Sequence, residues 1–332
     1  MILHPSILAL CSDALLTSAI LAYAAVFAYR IQHRWDLTSS SELQVALEHR
    51  TYLISTIMSI CLVLQIGSLF LFIHTADSLY TLFPGAMCAA GTLNLNRFGY
   101  LVLVLKLLNA VLAGVWLIIN QADNLGFDYP LIRVKYRLLL LIAPLVCMES
   151  LLLGLYFFRL HPHVITSCCG SLFSSASNQS ASSLLYTLPV IPVLVTLYLC
   201  IAFILVCGVY VLRQGRGGYL FSAGCVTSFI VGMVALIVAI SVYVYALPTH
   251  HCPFCMLHRE YAFVGYLLYG TLLGGCISGA GVGVLQPFRA RNSLVTFVPV
   301  MQRRLVVAAM TLYALFAAVT AGLVWYSDLR LI

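Results

Sequence analysis

Charge is what this sequence has least of. Only 8% of its 332 residues are Asp, Glu, Lys or Arg, while 62% are hydrophobic; about 25% charged is usual for a soluble domain. No polar shell can be built from this composition around a core of such size, so the surface faces lipid. Alternating apolar and polar positions are also missing from the long hydrophobic runs, which excludes a membrane β-barrel and leaves helices, whose backbones satisfy their own hydrogen bonds. No polar stretch is long enough for a soluble domain. A basic region ahead of the first apolar run is absent and Asp13 interrupts that run, so no cleavable signal peptide is expected. A glycine-rich nucleotide fingerprint is missing as well: the glycines at 274, 275, 279, 281 and 283 follow no strand and have the wrong spacing, and they suit close helix packing.

What remains is an all-α, polytopic transmembrane helical bundle of about eight spans, a single integral membrane domain over 1–332. A span needs about 20 apolar residues. Runs of that kind occur at 5–29, 51–73, 98–119, 138–158, 185–212, 219–246, 261–285 and 305–326. The segment 36–50, a serine cluster followed by Glu42, reads as a short capped helix at the interface.

Positive charge divides the connections. Arg30, Arg34, Arg50, Arg133, Lys135, Arg137, Arg213, Arg216, Arg289, Arg291, Arg303 and Arg304 fall in one set of loops; only Arg97, Arg159, Arg259 and Arg330 fall in the other. The positive-inside rule makes the first set cytoplasmic and puts both termini outside. The arginines are scattered over short loops, so nucleic acid is not an expected partner.

Twelve cysteines are present. Cys61, Cys147, Cys200, Cys207, Cys225 and Cys276 lie within spans as small core residues, and Cys11 sits near the outer end of the first span. The other five gather on the outer side: Cys88 in FPGAMCAAG, Cys168 and Cys169 in the longest outer loop at 159–184, and Cys252 and Cys255 in THHCPFCMLHREY. Outer compartments are oxidising, where such cysteines form structural or exchanging disulfides. CPFC stands just ahead of the seventh span. A helix N-terminus there, with His250, His251, His258 and Arg259 nearby, is expected to lower a thiol pKa and favour the nucleophilic, electron-donating thiolate.

The pattern Cys252, Cys255 and Arg259, C-x-x-C-x-x-x-R opening an apolar helix, resembles the disulfide-forming membrane oxidoreductases typified by DsbB, to which vitamin K epoxide reductase is related in architecture. The resemblance covers roughly 240–280, a redox-like helical hairpin. It implies that Cys252 and Cys255 exchange electrons with a membrane quinone, ubiquinone or menaquinone, with Arg259 and His258 on the quinone side. It also implies a second outer cysteine pair, served by Cys168, Cys169 and Cys88, that meets a soluble thioredoxin-like protein.

Ionisable residues within spans are functional candidates by default, and Asp13, Lys106 and Glu149 qualify. Lys106 and Glu149 can pair and hold the bundle, or one can carry protons to a quinone. The outer histidines and cysteines offer soft ligands, yet their spacing matches no closed zinc motif and no metal site is assigned. The functional expectation is a membrane thiol–disulfide oxidoreductase in a bacterial inner membrane. Its alternatives are a metal-handling permease or transporter and a membrane anchor subunit of a respiratory assembly with other membrane subunits.

Overall fold

The computed structural model describes residues 4–35, 42–126, 129–160, 188–248, 250–291, 293–327 and 329. Eight helices among them are long and apolar enough to cross a membrane, and no strand occurs among the described residues. The chain is therefore an all-α polytopic bundle suited to a lipid bilayer. Its spans are α1 Pro5–Arg34, α2 Glu42–Ser78, α3 Gly99–Leu125, α4 Ile132–Phe158, α5 Val190–Gln214, α6 Gly218–Tyr245, α7 Val264–Leu285 and α8 Phe297–Tyr326.

The described residues divide into two compact units. The first takes in the chain through Ala76, the chain from Leu93 through α4, and Pro287–Val298; the second takes in Asp77–Thr92, α5 to Gln286, and α8 from Pro299.

In the first unit α1 and α3 pack on α4. The buried positions of α1 run Ile7, Leu10, Ala14, Thr17, Leu21, Ala24, Ala28 and Ile31. Steps of three and four repeat along this helix, which keeps one seam facing its neighbour. On the other face Leu15 is 71% exposed and Leu16 is exposed as well, as expected of side chains meant for lipid. The core joins Leu21, Phe27, Met58, Leu62, Trp116, Tyr136 and Ile142. Pro144 sits inside α4, an interruption that membrane helices tolerate when neighbours satisfy the freed carbonyl.

In the second unit α5 and α7 pack on α6, and Val306, Ala309, Tyr313 and Phe316 of α8 join the same core. The glycines of α7 act as the spacing suggests. A Cβ on Gly279 would collide with the Cys225 side chain of α6, and one on Gly275 would lie 2.8 Å from the Tyr313 ring, so these backbones approach as only glycine allows.

Boundaries differ from the sequence reading where polar residues lie inside helices. The segment expected as a separate interfacial helix is, from Glu42 onward, the first turns of α2; no breaker stands between Glu48 and the apolar run. The span α4 begins at Ile132, ahead of Arg133, Lys135 and Arg137. Lys135 is not a loop charge: it is fully buried, its Nζ 2.6 Å from Asp123 Oδ2 and 3.1 Å from Asn120 Oδ1.

Candidate functional site: three thiols on two connections

The α6–α7 connection is built to hold CPFC in one conformation. The last turns of α6 widen into a π-helix at Leu236–Ile240. The carbonyl of Ile237 accepts the Ser241 hydroxyl at 2.7 Å and lies 3.3 Å from His251 Nδ1. This contact ties the residue before Cys252 to the helix, and such π-turns are frequent at functional sites. Ala246, Ala262 and Phe263, which bracket the segment, all have positive φ between 51° and 56°. A non-glycine residue held there costs of order 1 kcal/mol or more, and strain of this kind clusters at sites with a job to do.

Two tyrosines brace the loop from inside. Tyr245 donates its hydroxyl to the Cys252 carbonyl at 2.6 Å, and Tyr269 donates to the Pro253 carbonyl at 2.7 Å. Cys252 is fully buried, and Cys255 opens a one-turn 3₁₀ helix, Cys255–Leu257, half-buried.

The α2–α3 connection brings the third thiol. Cys88 precedes the short helix Ala89–Leu93 and is fully buried. Its Sγ lies 3.4 Å from Cys252 Sγ, and the sulfurs of Cys88, Cys252 and Cys255 all lie within 4.8 Å of one another. None of the ten described cysteines is in a disulfide.

Asp77 ties the two connections together. Its Oδ1 accepts the backbone N–H of Ala89 at 3.1 Å and lies 2.8 Å from His258 Nε2. A carboxylate only accepts hydrogen bonds, so His258 carries its proton on Nε2. The His258 ring also stacks on Tyr80 at 5.9 Å between centroids. One carboxylate oxygen thus joins the residue after Cys88 to the residue three beyond Cys255.

Several sequence expectations change here. CPFC does not open α7: two 3₁₀ turns, Cys255–Leu257 and Arg259–Tyr261, intervene before Val264, because the positive-φ pair Ala262 and Phe263 breaks helical continuity. His250 and His251 do not add positive charge. Burial pushes both imidazoles below their ordinary value, with neighbouring Cys88 partly opposing this for His250, so they sit neutral at neutral pH. His258 is engaged by Asp77, and Arg259 stands exposed on the second turn. Cys168 and Cys169, with His161 and His163, lie outside the described residues.

Two of the intramembrane candidates, Lys106 and Glu149, form a separate cluster in the first unit. Lys106 Nζ lies 2.8 Å from Glu149 Oε1 and 2.9 Å from Ser68 Oγ, while Glu149 Oε2 accepts from Gln65 and Asn109, each at 2.6 Å. Every charge in this set has partners on neighbouring helices, as a structural tie requires. Asp13 is half-buried one turn before its hydrogen-bonding neighbour Thr17. Sequence reasoning missed Asp77, Tyr245, Tyr269, Gln65 and Asn109; of these only Asp77, a carboxylate at the end of an apolar run and close to Cys88, carried a usable signal.

The fold and site together define an integral membrane helical bundle with a three-thiol cluster in which Cys88 and Cys252 are buried and Cys255 is half-buried. Comparison with known protein families, with curated proteins and with solved structures finds no match to this chain.

Proposed function

We propose that the chain is a membrane thiol–disulfide oxidoreductase that exchanges electrons between an outer-compartment dithiol or disulfide and a membrane quinone. The observation that carries the reading is the convergence of Cys88, Cys252 and Cys255 within 4.8 Å from two connections 164 residues apart. Structural thiols in apolar interiors have no need of one another; three that converge can pass a disulfide among themselves.

Cys252 is the shared sulfur, able to pair with Cys88 or with Cys255. Cys255 is the less buried of the CPFC pair, which makes it the point of entry. With Cys252–Cys255 oxidised, a thiolate of the partner, or of the outer shuttle pair once the partner has reduced it, attacks Cys255 Sγ, forming a mixed disulfide and releasing the Cys252 thiolate. The attacker's second thiol resolves the mixed disulfide, so the attacker leaves oxidised and the pair is left reduced. The pair then gives two electrons and two protons to quinone, reforming its disulfide and yielding quinol. Reverse flow obeys the same balance, and the relative potentials set its direction.

In this reading the partner is thioredoxin-like, Arg259 flanks the quinone headgroup from its exposed turn, His258 positions the loop through Asp77, and Cys168 and Cys169 serve as an outer shuttle pair. The membrane is a bacterial inner membrane with both termini and the cysteine connections outside. The charge distribution of the loops and the C-x-x-C-x-x-x-R resemblance support these assignments.

The test is quinone reduction by purified, pre-reduced, metal-free protein in lipid nanodiscs, with disulfides mapped by differential alkylation. Activity that falls to background in Cys252→Ser and in Cys255→Ser supports the proposal. Wild-type protein that neither reduces quinone nor forms a disulfide among these three cysteines overturns it.

A further inference from the structure

The spacing of the three sulfurs suits a second occupant that needs no disulfide. Thiolate sulfurs bind a soft ion at about 2.3 Å, which sets sulfurs on a common ion about 3.8–4.0 Å apart. The observed separations, 3.4 Å for Cys88 to Cys252 and at most 4.8 Å for the set, bracket that value. Shifts of about half an ångström to one ångström would place all three around one ion.

Their surroundings favour the same conclusion. The carbonyls of Cys252 and Pro253 are already taken by tyrosine hydroxyls, and the one nearby carboxylate oxygen that joins the two connections is occupied by His258 and Ala89. The donor set is therefore sulfur, which selects thiophilic ions and discriminates against Mg²⁺ and Ca²⁺. Among the described residues no fourth histidine, cysteine, aspartate or glutamate ligand atom joins the group. Soft thiolate ligands select monovalent copper among the available ions, and the three sulfurs found among the described residues are a count that suits it, whereas structural zinc is almost always four-coordinate.

We propose that Cys88, Cys252 and Cys255 in their thiol state bind one Cu(I) ion as a three-sulfur site, displacing the thiol protons. Metal binding and disulfide formation then compete for the same sulfurs: oxidation of the cluster expels copper and copper shields it from oxidation. The inference uses the residues of the oxidoreductase reading without depending on it, since a metal site forms whether or not quinone is reduced.

The experiment titrates Cu(I) anaerobically into the reduced full-length chain against a chromogenic Cu(I) chelator. A Cys168→Ser/Cys169→Ser background removes the two remaining outer-loop cysteines. One Cu(I) per chain is expected, with about three sulfur neighbours by X-ray absorption. Loss of a direct ligand should weaken binding by about 100-fold or more, beyond the ~10–100-fold typical of supporting residues. Cys88→Ser should show this loss and Cys200→Ser on α5 should not. Because Cys88→Ser can disturb folding, the unmutated cluster is also oxidised with diamide, which should abolish binding until reductant restores it. Binding unchanged in a folded Cys88→Ser variant, binding unaffected by oxidation, zinc held in preference to copper, or no binding at all would overturn the site. Quinone reduction measured on chelator-treated protein reports separately on the oxidoreductase reading.

Discussion

Replacing Asp77 by alanine removes one carboxylate and with it the tie between the two cysteine-bearing connections. Two hydrogen bonds go: His258 Nε2 at 2.8 Å and the Ala89 N–H at 3.1 Å. The His258 and Asp77 side chains are 19% and 17% exposed, so water can replace part of what is lost. A hydrogen bond to a charged group contributes about 1.5–3 kcal/mol; with this partial exposure a net loss of about 1.5 kcal/mol is reasonable, a factor of about ten in an equilibrium. That factor acts on the effective concentration of Cys88 at Cys252. To form a disulfide the sulfurs must close from 3.4 Å to about 2.05 Å, a step made easier when both backbones are held.

The assay equilibrates protein in glutathione buffers of graded potential and measures the Cys88–Cys252 disulfide by alkylation and mass spectrometry. Asp77→Ala should reduce the disulfide equilibrium constant about tenfold. Asp77→Asn keeps an acceptor for the Ala89 N–H but loses the charge, and should fall between. The Cys252–Cys255 disulfide, closed by its own short loop, should change far less. An Asp77→Ala constant equal to wild type would refute the claim that this carboxylate positions the thiols.

Burial orders thiol reactivity: Cys255 should be alkylated at least about tenfold faster than Cys88 or Cys252 in the folded protein, as read by time-resolved mass spectrometry, and equal rates would contradict the buried cluster. For the Lys106–Glu149 pair, Lys106→Met strands a buried carboxylate and should destabilise the protein by about 3–5 kcal/mol, whereas Lys106→Met/Glu149→Met should cost less; unfolding in mixed micelles measures both, and an additive double variant would argue against a tie. Gly279→Val forces a side chain into Cys225 and should cost about 1–3 kcal/mol, while Gly270→Ala, with nothing within 4 Å of the added carbon, should leave the melting temperature unchanged. Because burial lowers the pKa of His250 and His251, the unfolded chain binds protons more readily there. Stability should therefore be complete above an ordinary histidine pKa of about 6.5 and fall as pH drops through and below it. His250→Gln/His251→Gln should flatten that slope in thermal unfolding.

The number and type of elements follow from the sequence, because hydropathy over about 20 residues is a local property and lipid permits only one backbone solution for it. CPFC was equally legible: four consecutive residues need no fold to be recognised. The helix ends were less so. Lys135 reads as a loop charge until Asp123 and Asn120 are seen to bury it within a helical span, and nothing near position 135 in sequence announces those partners. The same holds for Gln65 and Asn109, ordinary polar residues until they close on Glu149.

What the sequence by itself determined is a helical membrane protein of about eight spans with one sharp dithiol motif. The tertiary structure alone decided which third sulfur that motif meets. Cys88 lies 164 residues from Cys252, and pairing at that separation depends on how two connections are braced, by Asp77 and His258 on one side and by Tyr245 and Tyr269 on the other. Local pattern records what a segment prefers; convergence of distant side chains is set by packing, which no single segment contains.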